Sequence, residues 1–110
     1  MVKQGSIIKI NFDPVMGSEQ SGYRPAVVLT NNFVLAKTNI VSICPITTKQ
    51  GKSALHVLLD SRTATQGAVL CAHNKSIDIN KRPYTIIEEL PKDKLEEIID
   101  TIISIITPSE

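Results

Sequence analysis

The hydrophobic period of this chain changes at Pro91. Downstream, Leu95, Ile98, Ile99, Ile102, Ile103 and Ile106 recur at intervals of three and four residues, the stripe of an amphipathic helix. Pro91 suits its first turn and Pro108 lies beyond its end. Asp93, Glu96 and Glu97 stand near the positive end of the helix dipole. Burying six such positions contributes on the order of 10 kcal/mol before chain entropy is set against it. The stripe must therefore be covered, by a sheet or by a second copy of the chain.

Upstream the pattern is that of strands. Ile8, Ile10 and Phe12 alternate with Lys9 and Asn11, and Asp13-Pro14 ends the run, because proline cannot donate to a ladder. Further strands are expected over Pro25–Thr30, Asn39–Ile46, Leu55–Leu59, Ala68–Ala72 and Tyr84–Ile87. Asn31-Asn32 and Ser61–Gly67 read as turns, and Ile77–Lys81 as either a helical turn or a strand. Val15–Tyr23 is a long polar loop, of a length that compact domains keep for function. Ile, Val and Thr make up 33 of the 110 residues, and their stiff branched side chains favour a pleated surface. The expectation is one mainly β domain over residues 1–110, a small barrel or sandwich with a C-terminal α-helix.

Several function classes are excluded early. With no Trp and 4% aromatic residues, a base-stacking platform is ruled out. Cys44 and Cys71 are too few for a disulfide scaffold or a four-sulfur zinc site and read as buried free thiols. The N-terminus is too short and polar for a signal peptide, and Ile98–Ile106 is too short to span a bilayer. A soluble cytoplasmic protein without a membrane segment is expected. Its net charge of +1 hides an asymmetry: ten Lys/Arg against four Asp/Glu over residues 1–87, then two Lys against seven Asp/Glu over 88–110. A basic body is suited to an anion such as RNA or to an acidic protein segment; an unevenly charged solvated surface has the same composition.

No phosphate-binding glycine loop, HExxH, CxxC or nucleophile elbow is present. His56, inside an expected strand, reads as a surface histidine; His73, at a strand end, is better placed for chemistry. Three polar clusters adjoin expected strands: Gly17 to Pro25, Cys44 to Lys49, and His73 to Asp78. Polar groups at strand ends are held rigidly yet remain reachable.

These clusters carry a resemblance. The runs Gly17-Ser-Glu-Gln-Ser-Gly-Tyr-Arg24-Pro25, Cys44-Pro-Ile-Thr47-Thr48 and Lys75-Ser-Ile-Asp78 resemble the MazF/PemK toxins of toxin–antitoxin pairs. The resemblance runs from about Gly5 to Ile106. It implies an SH3-like small β-barrel shared with the CcdB branch, with appended helices, and a homodimer. It implies sequence-specific, metal-independent cleavage of single-stranded RNA with no cofactor, inhibited by a cognate antitoxin whose acidic C-terminal tail covers the RNA groove. Arg24 and Thr47 match the family's catalytic pair, and Glu19 and Gln20 its loop acid and neighbour. Tyr23 stands where many members carry histidine. His73 and Asn74 replace a usual Gln and an apolar residue, which leaves the RNA sequence preference open.

Cleavage without metal uses the 2′-hydroxyl as nucleophile, giving a 2′,3′-cyclic phosphate and a 5′-hydroxyl. Arg24 suits the charge on the phosphate, because a guanidinium stays protonated and matches two oxygens. The Thr47 hydroxyl donates to a third. Glu19 or His73 is the candidate proton carrier. Gln20, Tyr23, Thr48, Lys49, Lys75 and Ser76 are candidates for holding RNA through phosphates or base edges. Two alternatives remain at this point, a CcdB-like gyrase poison and a catalytically silent binding module. The end Ile105-Ile106-Thr107-Pro108-Ser109-Glu110 lacks an aromatic for the first, and the His73-Asn74 departure keeps the second open.

Overall fold

The computed structural model describes residues 1–11, 23–49 and 53–109. They form β1 (Ser6–Asn11), β2 (Tyr23–Val28), α1 (Asn32–Leu35), β3 (Ile40–Thr47), β4 (His56–Leu58), β5 (Ala68–Leu70), β6 (Lys75–Asp78), β7 (Tyr84–Glu89) and α2 (Lys92–Ile106). Every ladder is antiparallel, in the order β4-β5-β3-β2-β1-β7, with β6 also on β3. Among the described residues the ladders do not close, so the barrel expected from the resemblance is an open, bent sheet. Two features bend it. One edge of β3 passes from β6 to β5 through a 3₁₀ turn at Cys71–His73, and the β1–β7 register shifts between Ile7 and Ile8.

Both faces of the central strands are buried, which explains their continuous apolar runs. One core holds Ile7, Val27, Cys44, Ile46, Val57, Val69 and Cys71 against Ile98 of α2. The other holds Ile8, Ile10, Ala26, Val28, Val41, Ile43 and Ile77. Neighbours in sequence such as Ile7 and Ile8, or Ile43 and Cys44, thus serve opposite faces. The expected inward set Ile8 and Ile10 is buried, and Ile7 is buried behind it. Phe12, Asp13-Pro14 and the loop up to Gly22 lie outside the described residues.

The sheet covers only part of the helical stripe. Ile98 is fully buried and Leu95 and Ile102 pack beside it, but Ile103 is 51% and Ile106 70% exposed.

Several expected boundaries move. Asn31 is not a turn residue but the cap of α1, its side-chain oxygen accepting from Val34 N at 2.9 Å. The strand expected from Pro25 begins at Tyr23, and the one expected to end at Ile46 runs to Thr47. Residues 77–81 are both things at once: β6 ends at Asp78 and a 3₁₀ turn follows over Ile79–Lys81. His56 is half-buried rather than a surface residue, and its Nδ1 is buried without a hydrogen-bond partner among the described residues.

Candidate active site

The site starts from the β2–β3 register. Ala26 pairs with Pro45, Val27 with Cys44 and Val28 with Ile43. The ladder ends there, and alternation along each strand puts Arg24 on the side of Ala26 and Thr47 on the side of Pro45. The two therefore project from one sheet face, at the open end of adjacent strands. On its other side Arg24 pairs with Ile10 of β1, which pairs with Tyr84 of β7. Arg24, Ile10 and Tyr84 thus form one row across three strands, on the face of Ile8, Ala26 and Ile43, and Thr47 lies on that same face of β3. Arg24 is exposed, and no described carboxylate pairs with it. The Thr47 hydroxyl is half-buried and accepts from Lys49 N at 3.2 Å, so its own proton stays available to a ligand.

The other candidates divide by face. Lys75 pairs with Ile43, which puts it on the face of Arg24 and Thr47. Ser76 pairs with Ser42 and Tyr23 with Asn11, so both belong to the opposite face, and the structure does not group them with the pair. Thr48 and Lys49 are exposed just beyond Thr47. Lys49 borders a cleft of about 360 Å³ with Leu58, Asp60, Gln66 and Gly67. His73 is exposed in the 3₁₀ turn between β5 and β6, beside the middle of β3, and makes no side-chain hydrogen bond among the described residues. Glu19 and Gln20 lie outside the described residues.

Arg82 was not singled out by the sequence. Its Nη1 donates to the backbone oxygen of Asn11 at 2.8 Å, one residue pair from Arg24. A lone Arg beyond a short 3₁₀ turn carries no sequence signal; only the fold brings it to this end of β1.

α2, over the core of Ile7 and Cys44, exposes Asp93, Glu96, Glu97 and Asp100. Arg24 and Lys75 lie on the far face. The thiols are withdrawn from chemistry: burial pushes Cys44 up to about 12, with Cys71 adding to it, and Cys71 up to about 11.

The Escherichia coli K12 endoribonuclease toxin MazF is 38% identical over 81 residues, 74% of this chain and 72% of that protein. The Escherichia coli endoribonuclease PemK is 26% identical over 110 residues, 96% of this chain and 83% of that protein. The crystal structure of MazF from Deinococcus radiodurans superposes with a TM-score of 0.85 at 30% identity, covering 97% of each chain. A MazE–MazF crystal structure from the same organism gives 0.86 at 29% identity over 98% of each chain. The sequence model of the PemK-like, MazF-like toxins matches residues 3–106, and the chain belongs to that family of type II toxin–antitoxin toxins.

Proposed function

We propose that this chain, as a single toxin domain over residues 1–110, is a sequence-specific, metal-independent endoribonuclease that cleaves single-stranded RNA in the cytoplasm and is neutralised by a cognate antitoxin. The observation that carries it is that Arg24, exposed, and Thr47, half-buried, share one face at the ends of neighbouring strands, on the side of the sheet opposite the core that α2 covers. Relatives named endoribonucleases favour this over a gyrase poison or a silent module.

Cleavage needs three things from the protein. A base takes the 2′-OH proton, fixed charges stabilise the phosphorane oxygens, and an acid protonates the departing 5′-oxygen. Arg24 supplies the charge and the Thr47 O–H the second donor, held in orientation by Lys49 N. Losing one such contact costs about 3 kcal/mol, or about 100-fold in rate. Glu19 and His73 are the candidate proton carriers; a His73→Gln variant with unchanged rate and pH profile removes His73 from that role. Lys75, Lys49, Thr48 and Arg82 are the candidates for holding phosphates or base edges, with Tyr23 and Ser76 on the opposite face; Gln20, outside the described residues, keeps that role as an expectation.

The partners follow from the same surfaces. The far face of Arg24 and Lys75 suits an acidic antitoxin tail competing with RNA. The open end of the α2 stripe, with Ile103 and Ile106, suits a second copy of the chain, so a homodimer is expected by light scattering.

The deciding experiment is cleavage of a long single-stranded RNA by wild type and Arg24→Ala, with EDTA present, on a denaturing gel. Discrete fragments with 5′-hydroxyl ends from the wild type alone support the reading. An inert, folded wild type overturns it.

A further inference from the structure

We infer that Gly67 and Glu88 are positioning residues for Thr47. The β4–β5 loop, closed by Gly67 and anchored by Glu88, seats the end of β3 that presents the Thr47 hydroxyl. This rests on the assignment of Thr47 above.

The contact itself comes first. Gly67 has φ +122°, and a Cβ there would fall 2.0 Å from the carbonyl oxygen of Thr47, 2.8 Å from its carbon and 3.2 Å from Thr48 Cα. All three are backbone atoms, so no side chain can swing aside, and only glycine lets the loop lie on β3 at this point. The next residue, Ala68, pairs with Thr47 in the β3–β5 ladder, and Gly67 O accepts from Leu59 N at 2.9 Å. The loop end is thereby fixed between Leu59 and Thr47.

The far side of the loop is held by β7. One Glu88 oxygen accepts from Ala64 N at 3.0 Å, and the other from Thr65 N at 2.8 Å and Thr65 Oγ1 at 2.7 Å. Thr63 Oγ1 donates to Thr65 O at 2.7 Å, and Arg62 reaches Asp93 on α2. A single carboxylate thus satisfies two amides that a turn otherwise leaves to solvent, two residues from the contact on Thr47. Many loops are anchored for stability alone, but this one ends on the backbone of a catalytic candidate. A small displacement of a reacting group costs rate without loosening substrate binding.

The test is steady-state cleavage of an oligoribonucleotide containing a site mapped with the wild type. In Gly67→Ala, kcat is expected to fall roughly 10- to 100-fold with KM within about twofold. In a Thr47→Ala background the same substitution is expected to change kcat by less than about twofold, because the group it displaces is already gone. Glu88→Ala should repeat this pattern and Glu88→Gln, which keeps an acceptor oxygen, should recover most of the rate. If Gly67→Ala does not fold, Glu88→Ala and its double variant carry the comparison. Losses that multiply with Thr47→Ala, or that fall on KM alone, overturn the inference. A fully active Thr47→Ala overturns the assignment of Thr47 itself, and the inference with it.

Discussion

Arg62 grips Asp93 with both terminal nitrogens, at 2.8 and 2.9 Å, and turns its Nε and Nη2 to Asp60, so one guanidinium joins the β4–β5 loop to the first turn of α2. Hydrogen bonds from Arg62 push Asp60 down to about 2 and hold Asp93 below the usual carboxylate range. These side chains are 41% to 63% exposed, so the pairs orient the loop more than they stabilise it.

Glu88 contributes to the acid sensitivity of this region. Burial alone raises its carboxyl, but the bonds from Thr65 and Ala64 outweigh it and lower it below the ordinary value. A group depressed in the folded state contributes stability above its unfolded pKa, about 4.3, and loses it as pH falls through the folded value. Wild-type stability in urea titrations is therefore expected to be level above about pH 5 and to drop below about pH 4. Glu88→Gln should be less stable at pH 7 and lose less on acidification; an identical pH dependence would remove Glu88 from this role.

Arg24→Lys is expected to behave more like Arg24→Ala than like wild type. A lysine keeps the charge but not the two-pronged geometry, so cleavage should fall by about 10-fold or more. Because Arg24 is exposed, the melting temperature should stay within the change expected of about 0.5 kcal/mol.

At Thr47 the hydroxyl, not the branched shape, is the functional part. Thr47→Ser should retain cleavage within a few-fold, whereas Thr47→Val should lose roughly 100-fold. Equal rates for Val and wild type would show that the hydroxyl only accepts the Lys49 N–H.

Ile98 is the one fully buried residue of α2 and packs in the core of Ile7, Val27 and Cys44. Ile98→Ala should cost about 2–5 kcal/mol, read by chemical denaturation. Ile106→Ala, at a position 70% exposed, should leave monomer stability nearly unchanged; a loss only at concentrations where dimer forms would place Ile106 in the partner interface.

The buried thiols should be inert. With Cys44 at about 12 and Cys71 at about 11, neither forms an appreciable thiolate near pH 8. Ellman's reagent should report both only after unfolding.

Periodicity carried much of the fold. The spacing of Leu95, Ile98 and Ile102 marks α2, and the alternation of Ile8 and Ile10 marks β1, because those periods are set by backbone geometry alone. Boundaries were harder. Pro25 read as a strand start, yet β2 takes in Tyr23 and Arg24 because β1 offers both a partner. Asn31 fits a turn and a helix cap equally, and only the following chain decides. The shared face of Arg24 and Thr47 was out of reach: residues 23 apart in sequence come to one side of the sheet through a ladder register that neither strand states alone. Gly67 and Glu88 were invisible for the same reason, since their roles lie in backbone contacts with distant segments.

β3 borders β2 on one edge and both β6 and β5 on the other, and it ends in Thr47. A survival screen for inactive variants in an expressing host should therefore scatter hits along this whole strand, from Val41 to Thr47, instead of gathering them beside Arg24. Hits should thin out over α1, none of whose four residues is fully buried.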